Sequence, residues 1–271
     1  MNALAAPQTL SIESIRRRLV APTVASQLYL FGQVSSTNAA LKRLAASGAA
    51  EGTVVLAETQ TAGRGRMGQP WFSPPGVNLY ASVLFRGSLT LGQAPVFSLI
   101  AGLALADAVA EFGVQPVIKW PNDVLIDGRK IGGSLAECAA REGKIEHLIL
   151  GVGANLNVEP DALRAALGSA ADAATSLCAE TGRAVDRSAF AAAYLNSLET
   201  WTWRFRAKGS AAVLAGWRDR DILTGRRVEI RGHGTSVIGR VAGLDEQGHL
   251  IVRGSLGERR VVSTEEICFC D

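Results

Sequence analysis

Acidic residues are missing from a long central part of this sequence. Of its 271 residues 25 are Asp or Glu, yet none lies between Thr59 and Ala106. Two arginines, Arg64 and Arg66, stand close together in that stretch, and no neighbour along the chain neutralises them. Because a guanidinium presents a planar fork of donors suited to phosphate or carboxylate, we expect an anion to bind there.

Other features are also scarce, and each scarcity excludes a class of protein. The formal net charge of +3 comes without a dense basic face, which argues against nucleic acid as the main partner. No apolar stretch of about 18 residues is free of charge, and no secretory signal precedes the chain, so we expect a cytoplasmic protein without membrane contact. The few cysteines show no paired metal spacing and favour reduced thiols: Cys138, Cys178, Cys268 and Cys270.

What the sequence does contain is an ordinary globular composition and one unusual glycine-rich loop. Hydrophobic residues make up 48% and charged residues 20%. Directly after a predicted strand at residues 53–56, Gly63, Gly65 and Gly68 alternate with the two arginines. Glycine lets the backbone approach a ligand closely. We therefore predict an anion-binding loop, with an ordinary mobile surface loop as the alternative.

The spacing of these glycines also matches the dinucleotide-binding fingerprint, but two further requirements are not met. That fingerprint needs a helix that opens at the last glycine and an acid about 20 residues later. Here Gly68 leads into Gln69-Pro70-Trp71, which cannot begin a helix, and the acid is missing. The loop is not a Walker A motif either, because no Gly-Lys-Ser/Thr follows.

A second unusual run is Lys119-Trp120-Pro121-Asn122-Asp123. The lysine ends a predicted strand and the proline fixes the chain after it, so the ammonium group projects at one place. Asn122 and Asp123 can hold the turn through side-chain to backbone bonds.

The next turn, Asp127-Gly128, predicts a two-residue hairpin that brings Lys130 back to the same end of the sheet. Two lysines and two arginines that converge there would stabilise negative charge growing on a phosphoryl group or an acyl phosphate.

The remaining pattern predicts an α+β protein with an all-β C-terminal part. A serine or threonine of Ser35-Ser36-Thr37-Asn38 is expected to cap a helix at residues 39–46, and hydroxyls and amides at that helix end could equally donate to a small polar ligand. A helix at residues 187–206 carries Trp201, Trp203 and Phe205, which we expect in core or interdomain packing. A helix is also expected at 12–19, 96–112 and 161–167, and strands at 27–31, 78–85, 117–120, 124–126, 129–137, 147–156, 226–230, 236–244, 249–253 and 259–263.

Taken together, these motifs resemble the biotin protein ligases. The resemblance rests on Gly63 to Gly68 with Trp71, on Lys119 to Asp123 and on residues 129–133. Ser36-Thr37-Asn38, Gln60 and residues 151–157 fit the same pattern, in the family's order. Met67 and Gln69 stand where many members carry further basic residues.

The resemblance implies a two-step reaction in which ATP activates biotin to biotinyl-5'-AMP, and biotin then passes to a lysine of a carrier domain. It implies that Lys119 and Arg64 are catalytic. Biotin would be bound by Ser36, Thr37, Asn38, Gln60, Gly63, Arg64, Gly65, Arg66, Lys130 and Gly132. ATP would be bound by Arg64, Arg66, Trp71, Lys119, Asn122 and Asn155. Mg²⁺ would accompany ATP, with no ligand assigned to it.

The resemblance also implies a domain organisation and a partner. Residues 1–34 would form an N-terminal extension, 35–221 the catalytic domain of the mixed-sheet biotin/lipoate ligase type, and 222–271 a small SH3-like β-barrel. The extension is too short for a DNA-reading head, so we expect the monofunctional type without specific DNA binding. The partner would be the biotin carboxyl carrier protein of acetyl-CoA carboxylase or of another biotin-dependent carboxylase, and a homodimer is left open.

Three rival functions remain to be weighed against this one. A lipoate–protein ligase shares the core, but that family has an Arg-Arg pair followed by a triple glycine, and no triple glycine occurs here. A repressor that only senses biotinyl-AMP would lack room for its reading head. A non-catalytic scaffold would have no reason to keep arginines without neutralising partners beside glycines.

Overall fold

The computed structural model describes residues 9–20, 23–87, 89–142, 144–232, 235–255, 257–261 and 266–269. Cys270 lies outside these ranges. The helices are α1 Ile12–Arg16, α2 Thr37–Ala46, α3 Ala94–Ala110, α4 Pro160–Leu167, α5 Leu177–Thr181, α6 Arg187–Lys208 and α7 Ser210–Arg218, with 3₁₀ turns at Arg66–Gly68, Leu91–Gln93 and Gly168–Ala173. The strands are β1 Gln27–Val34, β2 Thr53–Gln60, β3 Leu79–Phe85, β4 Leu89–Thr90, β5 Val117–Lys119, β6 Asp123–Ile126, β7 Arg129–Arg141, β8 Lys144–Ala154, β9 Arg227–Gly232, β10 Thr235–Leu244, β11 Leu250–Gly254, β12 Gly257–Val261 and β13 Glu266–Phe269.

A mixed sheet forms the centre of the molecule, in the strand order β1-β2-β3-β8-β7-β6-β5, with β4 paired to β8. Only the β1–β2 pair is parallel; the other described pairs are antiparallel. The predicted hairpin joins β6 and β7, and both turn residues, Asp127 (φ 48°) and Gly128 (φ 78°), take the left-handed backbone that such a turn requires. The predicted α+β class is confirmed.

One face of the sheet carries the main core. Leu79, Ala81, Val83 and Phe85 alternate along β3 toward this side, where they join buried residues of α3 and α6. Leu91–Ala110 is long and apolar enough, by length and composition, to cross a membrane, although no such segment is expected from the sequence. Most of it is buried between the sheet and α6, as is typical of the core helix of a globular domain.

The opposite face carries α2 and a smaller apolar cluster. Leu41 of α2 packs on Val55, Leu84 and Ile149, which come from three adjacent strands. Because side chains alternate along a strand, residues 151 and 153 point to the same face as Ile149. The face of β8 and β7 that α2 covers therefore has glycines at positions 151 and 153, which leave room for polar side chains beside the helix.

A second, five-stranded antiparallel sheet, in the order β12-β11-β10-β9-β13, follows α7. Its buried residues are continuous with the main core. The sequence predicted four of these strands and missed β13. The segment that enters this sheet also binds the edge of the central one, because Ile118 of β5 exchanges backbone hydrogen bonds with Arg220 and Ile222.

The aromatic residues near the end of α6 do not all pack as the sequence predicts. Trp201 and Phe205 are buried, whereas Trp203 is 62% exposed. Residues three or four apart share a helix face, so Leu198, Trp201 and Phe205 form one inward stripe and Trp203 points away from it. The prediction for Trp203 is wrong. Helix α7 was also missed.

The packing of α7 on α6 generates a stability prediction. A Cβ at Gly216 would lie 2.2 Å from Cη2 of Trp201, a rigid and buried ring. Alanine gains about 1 kcal/mol of helix propensity over glycine, but overpacking a core typically costs about 1–3 kcal/mol. Because the clash is with a rigid buried ring, we place the packing cost at the upper end of that range and expect Gly216→Ala to lower the free energy of unfolding by about 2 kcal/mol, measured by urea denaturation. Gly92→Ala is the control, because no described residue other than its chain neighbours and the backbone of its own helical turn has an atom within 4 Å of its Cβ position. A Gly216→Ala protein as stable as the wild type would contradict this packing.

Candidate active site

A cleft of about 520 Å³ opens on the α2 face of the central sheet. The sequence predicted fourteen different site residues, and all but Gly63 and Gly132 line this cleft: Ser36, Thr37, Asn38, Gln60, Arg64, Gly65, Arg66, Trp71, Lys119, Asn122, Lys130 and Asn155. Gly63 lies behind the wall, where a Cβ would stand 2.6 Å from Oγ of Ser73. Gly132 lies within the sheet, where a Cβ would stand 2.6 Å from the carbonyl oxygen of Gly153.

The first end of the cleft is neutral and polar. Ser36 caps α2, because its Oγ accepts a hydrogen bond from the backbone N–H of Ala39. The next residue, Thr37, donates its backbone N–H to Oε1 of Gln60 at 2.9 Å. The Gln60 amide then donates to Oγ of Ser73 at 3.0 Å. Since these side chains are cross-bonded, the hydroxyls and amides at this end stand in fixed positions.

The floor of the cleft is made of backbone. A Cβ at Gly151 would stand 2.3 Å from Oδ1 of Asn38, and one at Gly153 would stand 2.5 Å from the Trp71 ring. Strand β8 therefore has glycine at the two points where α2 and the tryptophan approach it most closely.

The glycine loop folds back on itself over the cleft. Gly65 donates its backbone N–H to the carbonyl of Gln69 at 2.7 Å, and Trp71 donates to the carbonyl of Gly63 at 2.9 Å. Met67 has φ 53° and Gly68 has φ 75° at the tip. No helix begins at Gly68, in agreement with the rejection of the dinucleotide fingerprint.

Arg64 has a neutralising partner, contrary to the expectation from the sequence. Its guanidinium lies 3.1 Å and 3.2 Å from the two carboxylate oxygens of Glu137, which is on β7. The stretch between residues 59 and 106 has no acidic residue, but this says nothing about neighbours in space. The folded sheet places the carboxylate of a distant strand beside Arg64. Strand alternation puts Glu137 on the same side of β7 as Leu135, which lines the cleft, but only the strand order shows that this side faces Arg64.

Lys130 also has a partner. Its Nζ lies 2.6 Å from Oδ1 of Asp123 and 5.5 Å from the centre of the Trp71 ring. The four predicted cations do reach the cleft, but two of them arrive in ion pairs.

The other two cations, Arg66 and Lys119, are more available. Burial lowers the pKa of Arg66 while nearby Asp123 raises it. Its NH1 group donates to Oδ1 of Asn122 at 3.4 Å, whereas NH2 is buried without a hydrogen-bond partner among the described residues. Lys119 Nζ lies 5.2 Å from the centre of the Phe269 ring, and no ion pair joins it to a carboxylate within the described ranges.

Two further buried donors at the cleft have no described partner, the Trp71 indole N–H and the Ser134 hydroxyl. An unpaired buried donor typically costs about 1–3 kcal/mol, so a ligand with acceptor oxygens would recover that free energy. Asn122 and Asn155, by contrast, use their amides within the protein: Asn122 donates to the carbonyl of Ser134 at 2.5 Å and Asn155 to that of Thr175 at 3.0 Å.

The second end of the cleft has an apolar wall that the sequence did not predict. It is built by α4, the 3₁₀ turn that follows it and the segment after that turn: Leu163, Leu167, Ala170, Ala173 and Ala174. Ile267 of β13 adds a residue of the C-terminal sheet. A flat apolar group would fit against this wall, beside the Trp71 ring.

A metal site preformed by the protein is not present in the described part of the chain. No group of three or more His, Cys, Asp or Glu side chains there could hold an ion. Asp123 is the acidic residue that lines the cleft, and its Oδ1 is already bound to Lys130.

Comparison with known proteins gives concordant results. Residues 30–155 match the model of the Biotin/lipoate A/B protein ligase family. The biotin–[acetyl-CoA-carboxylase] ligase of Mycobacterium tuberculosis is 37% identical over 247 residues, which cover 87% of this chain and 86% of that protein. The bifunctional ligase/repressor BirA of Bacillus subtilis is 32% identical over 260 residues, 96% of this chain and 79% of that protein. The structure of the Aquifex aeolicus biotin protein ligase with biotin and ATP superposes with a TM-score of 0.75 at 26% identity, covering 90% of this chain and all of that one.

Proposed function

Since the chain belongs to the biotin protein ligase family, we propose that it activates biotin with ATP to biotinyl-5'-AMP and transfers the biotin to a lysine of a biotin carboxyl carrier protein. The observation that carries this proposal is the make-up of the cleft. The cleft combines a rigid neutral polar end, an apolar wall, and two cations without a carboxylate partner together with buried donors without a hydrogen-bond partner within the described part of the chain. These features suit a cyclic urea, a base and a phosphate, respectively.

In the first step the biotin carboxylate attacks the α-phosphorus of ATP, pyrophosphate leaves, and an acyl phosphate anhydride forms. In the second step the lysine amine of the carrier attacks the acyl carbon and loses a proton to solvent, an amide forms, and AMP leaves with the bonding electron pair. Both steps develop negative charge on phosphate oxygens, which fixed donors in a site of low polarity stabilise well. We assign this role to Lys119 and Arg66. Arg64, expected from the sequence to be catalytic, is bound by Glu137 and contributes less free charge.

At the neutral end, Thr37, Asn38 and Gln60 would contact the ureido group of biotin, with Ser36 beside them. A urea both donates and accepts hydrogen bonds, and so do this cluster's hydroxyls and amides. Gly65 would approach the ligand through its backbone. Trp71 would pack beside the adenylate, while Asn122 and Asn155 would act by holding the walls.

The lipoate alternative has less support. The Mycobacterium relative and the Aquifex structure carry biotin ligase names, although the family model covers both groups. A direct assay with biotin and lipoate on the two carrier domains distinguishes the alternatives.

We propose Mg²⁺ as the ion that accompanies ATP. This ion is usually held by one or two carboxylates together with substrate phosphates. Among the described residues Asp123 is the carboxylate that lines the cleft beside the cations, while Glu137 is bound to Asn38 and Arg64, and this fits an ion whose ligands come mainly from the nucleotide. When bound, Mg²⁺ would neutralise phosphate charge.

The acceptor, the cellular location and the oligomeric state also remain proposals. We propose a carboxylase carrier domain as the partner, because the Mycobacterium relative is a biotin–[acetyl-CoA-carboxylase] ligase. A cytoplasmic location agrees with the buried setting of the apolar helix α3. We propose to test a homodimer as the oligomeric state.

The role of Lys119 is directly testable. Lys119→Ala should slow single-turnover formation of biotinyl-AMP by roughly 10²–10³, the usual loss when one preorganised charge-stabilising group is removed. Lys119→Arg should restore the rate only in part, since a planar fork does not replace a point charge. Lys144→Ala, an exposed change on β8, serves as the control. Adenylation by Lys119→Ala at close to the wild-type rate would refute the assignment.

The glycine loop is expected to become more ordered around its ligand. Fixing a residue costs about 1–2 kcal/mol of conformational entropy, and glycines lose the most freedom. Charge-assisted bonds from Arg66 to the adenylate phosphate would repay that cost. We expect biotin plus ATP to protect the protein strongly from trypsin cleavage after Arg64 and Arg66, and biotin alone to protect it partly. Equal cleavage rates with ligand shown to be bound would mean that the loop does not close.

We also predict that this chain does not bind operator DNA specifically, unlike a repressor. Its net charge of +3 supports at most phosphate attraction, which weakens steeply as salt rises. Gel-shift titrations of a promoter fragment and a scrambled fragment at two salt concentrations should give equal and salt-sensitive affinities. Salt-resistant preference for the promoter would overturn the prediction.

A further inference from the structure

Glu137 stands at the neutral end of the cleft but has no role in the reaction described above. It follows Gly133 and Leu135 on the cleft-facing side of β7. Its carboxylate binds two residues that reach the cleft from different elements, Asn38 at the start of α2 and Arg64 in the glycine loop.

The contact with Asn38 fixes the direction of a buried amide. Nδ2 of Asn38 donates to Oε2 of Glu137 at 2.7 Å, and Oδ1 of Asn38 lies 2.6 Å from Oγ of Ser82. The second Nδ2 proton faces the carbonyl of Leu135 at 3.4 Å. Because a carboxylate only accepts, it allows one orientation of the amide, with the nitrogen toward Glu137.

The contact with Arg64 is of a different kind. Both side chains are more than a third exposed, 46% for Arg64 and 37% for Glu137, and a single guanidinium nitrogen serves both carboxylate oxygens. Such a partly exposed pair contributes modestly to stability, enough to change how often the loop opens by a few-fold. It does, however, tie the beginning of the glycine loop to the sheet beside the Asn38 amide.

We propose that Glu137 is a positioning residue for biotin, which orients the Asn38 amide and holds the glycine loop against β7 through Arg64. This inference rests on the proposed function, because it names the end of the cleft that binds the ureido group. It also gives Arg64 a structural task, since a guanidinium held by a carboxylate is a poor source of free positive charge for phosphate.

The two contacts predict different responses to two substitutions. Glu137→Ala removes both, so the KM for biotin should rise about tenfold, which corresponds to leaving one buried donor without its partner. The KM for ATP should rise clearly less, because Glu137 contacts Asn38 and Arg64 directly and reaches the phosphate-binding Arg66 only through the loop. Glu137→Gln keeps an acceptor for Asn38 but loses the charge, so it should raise the KM for biotin less than Glu137→Ala does.

A double-mutant cycle with Asn38 tests whether Glu137 acts through that residue. The effect of Glu137→Ala on the KM for biotin should disappear in an Asn38→Ala background, because the orientation of a missing amide no longer matters. If the effect persists undiminished, Glu137 contacts biotin directly and the positioning role is wrong.

The contact between Glu137 and the glycine loop is tested by trypsin cleavage of the proteins without any ligand. Trypsin should cut after Arg64 several-fold faster in the empty Glu137→Ala and Glu137→Gln proteins than in the wild type, since both lose the ion pair. Glu146→Gln, an exposed change on the neighbouring strand β8, is the matched control and should change neither cleavage nor KM.

The outcomes separate this inference from the proposed function. A wild-type protein without biotin-dependent pyrophosphate exchange would reject the proposed function, and the cleavage rates would still judge the loop contact. Normal exchange with an unchanged KM for biotin in Glu137→Ala, or with equal rises for biotin and ATP, would overturn the inference alone. Equal cleavage after Arg64 in all proteins would overturn its loop part.

Discussion

The candidate site depends on strand β8 having no side chains at two positions of the cleft floor. Asn38 lies where a Cβ of Gly151 would be, and the Trp71 ring lies where a Cβ of Gly153 would be. These two contacts fix opposite ends of the same cleft, one from α2 and one from the segment after the glycine loop. A single strand therefore sets the distance between the neutral end and the aromatic wall, since its two glycines are separated by one residue.

The four cations of the cleft fall into two groups, two in ion pairs and two without a carboxylate partner in the described part of the chain. Arg64 and Lys130 are bound by Glu137 and Asp123, whose side chains come from β7 and β6. Arg66 and Lys119 keep donors without a carboxylate partner in the described part of the chain, and Arg66 is held by the side-chain oxygen of Asn122. A cation in an ion pair holds its carboxylate partner in place. A cation without such a partner can stabilise negative charge on a ligand. Four positive charges in one small cleft are thus compatible with folding because two of them are neutralised locally.

Much of this could be predicted from the sequence, and the rest could not, for identifiable reasons. The glycine loop, the lysine before Pro121 and the Asp127-Gly128 turn are local signals, because each depends on neighbours along the chain. Glu137 and its pairing with Arg64 depend on strand order, which local patterns do not specify. To predict that Trp203 is exposed, one must know which face of α6 points toward the core, and the length of the helix does not give that. The apolar wall of α4 and the 3₁₀ turn contains alanines and leucines that are typical of any packed helix, so nothing in their composition distinguishes a ligand-facing wall from core.

The position of Lys119 shows why the two sheets form one working unit. Strand β5, which ends at this lysine, is paired on one side with β6 and on the other with the segment that leads into the C-terminal sheet. The next residue, Trp120, donates its indole N–H to the carbonyl of Gly248 at 2.9 Å, and the lysine itself lies over Phe269. A short strand of three residues has too few hydrogen bonds to hold a charged side chain to the tolerance that charge stabilisation requires. Contacts from both sides therefore hold this strand, and under the role proposed for Lys119 the small sheet would support charge stabilisation by immobilising the strand that carries the cation.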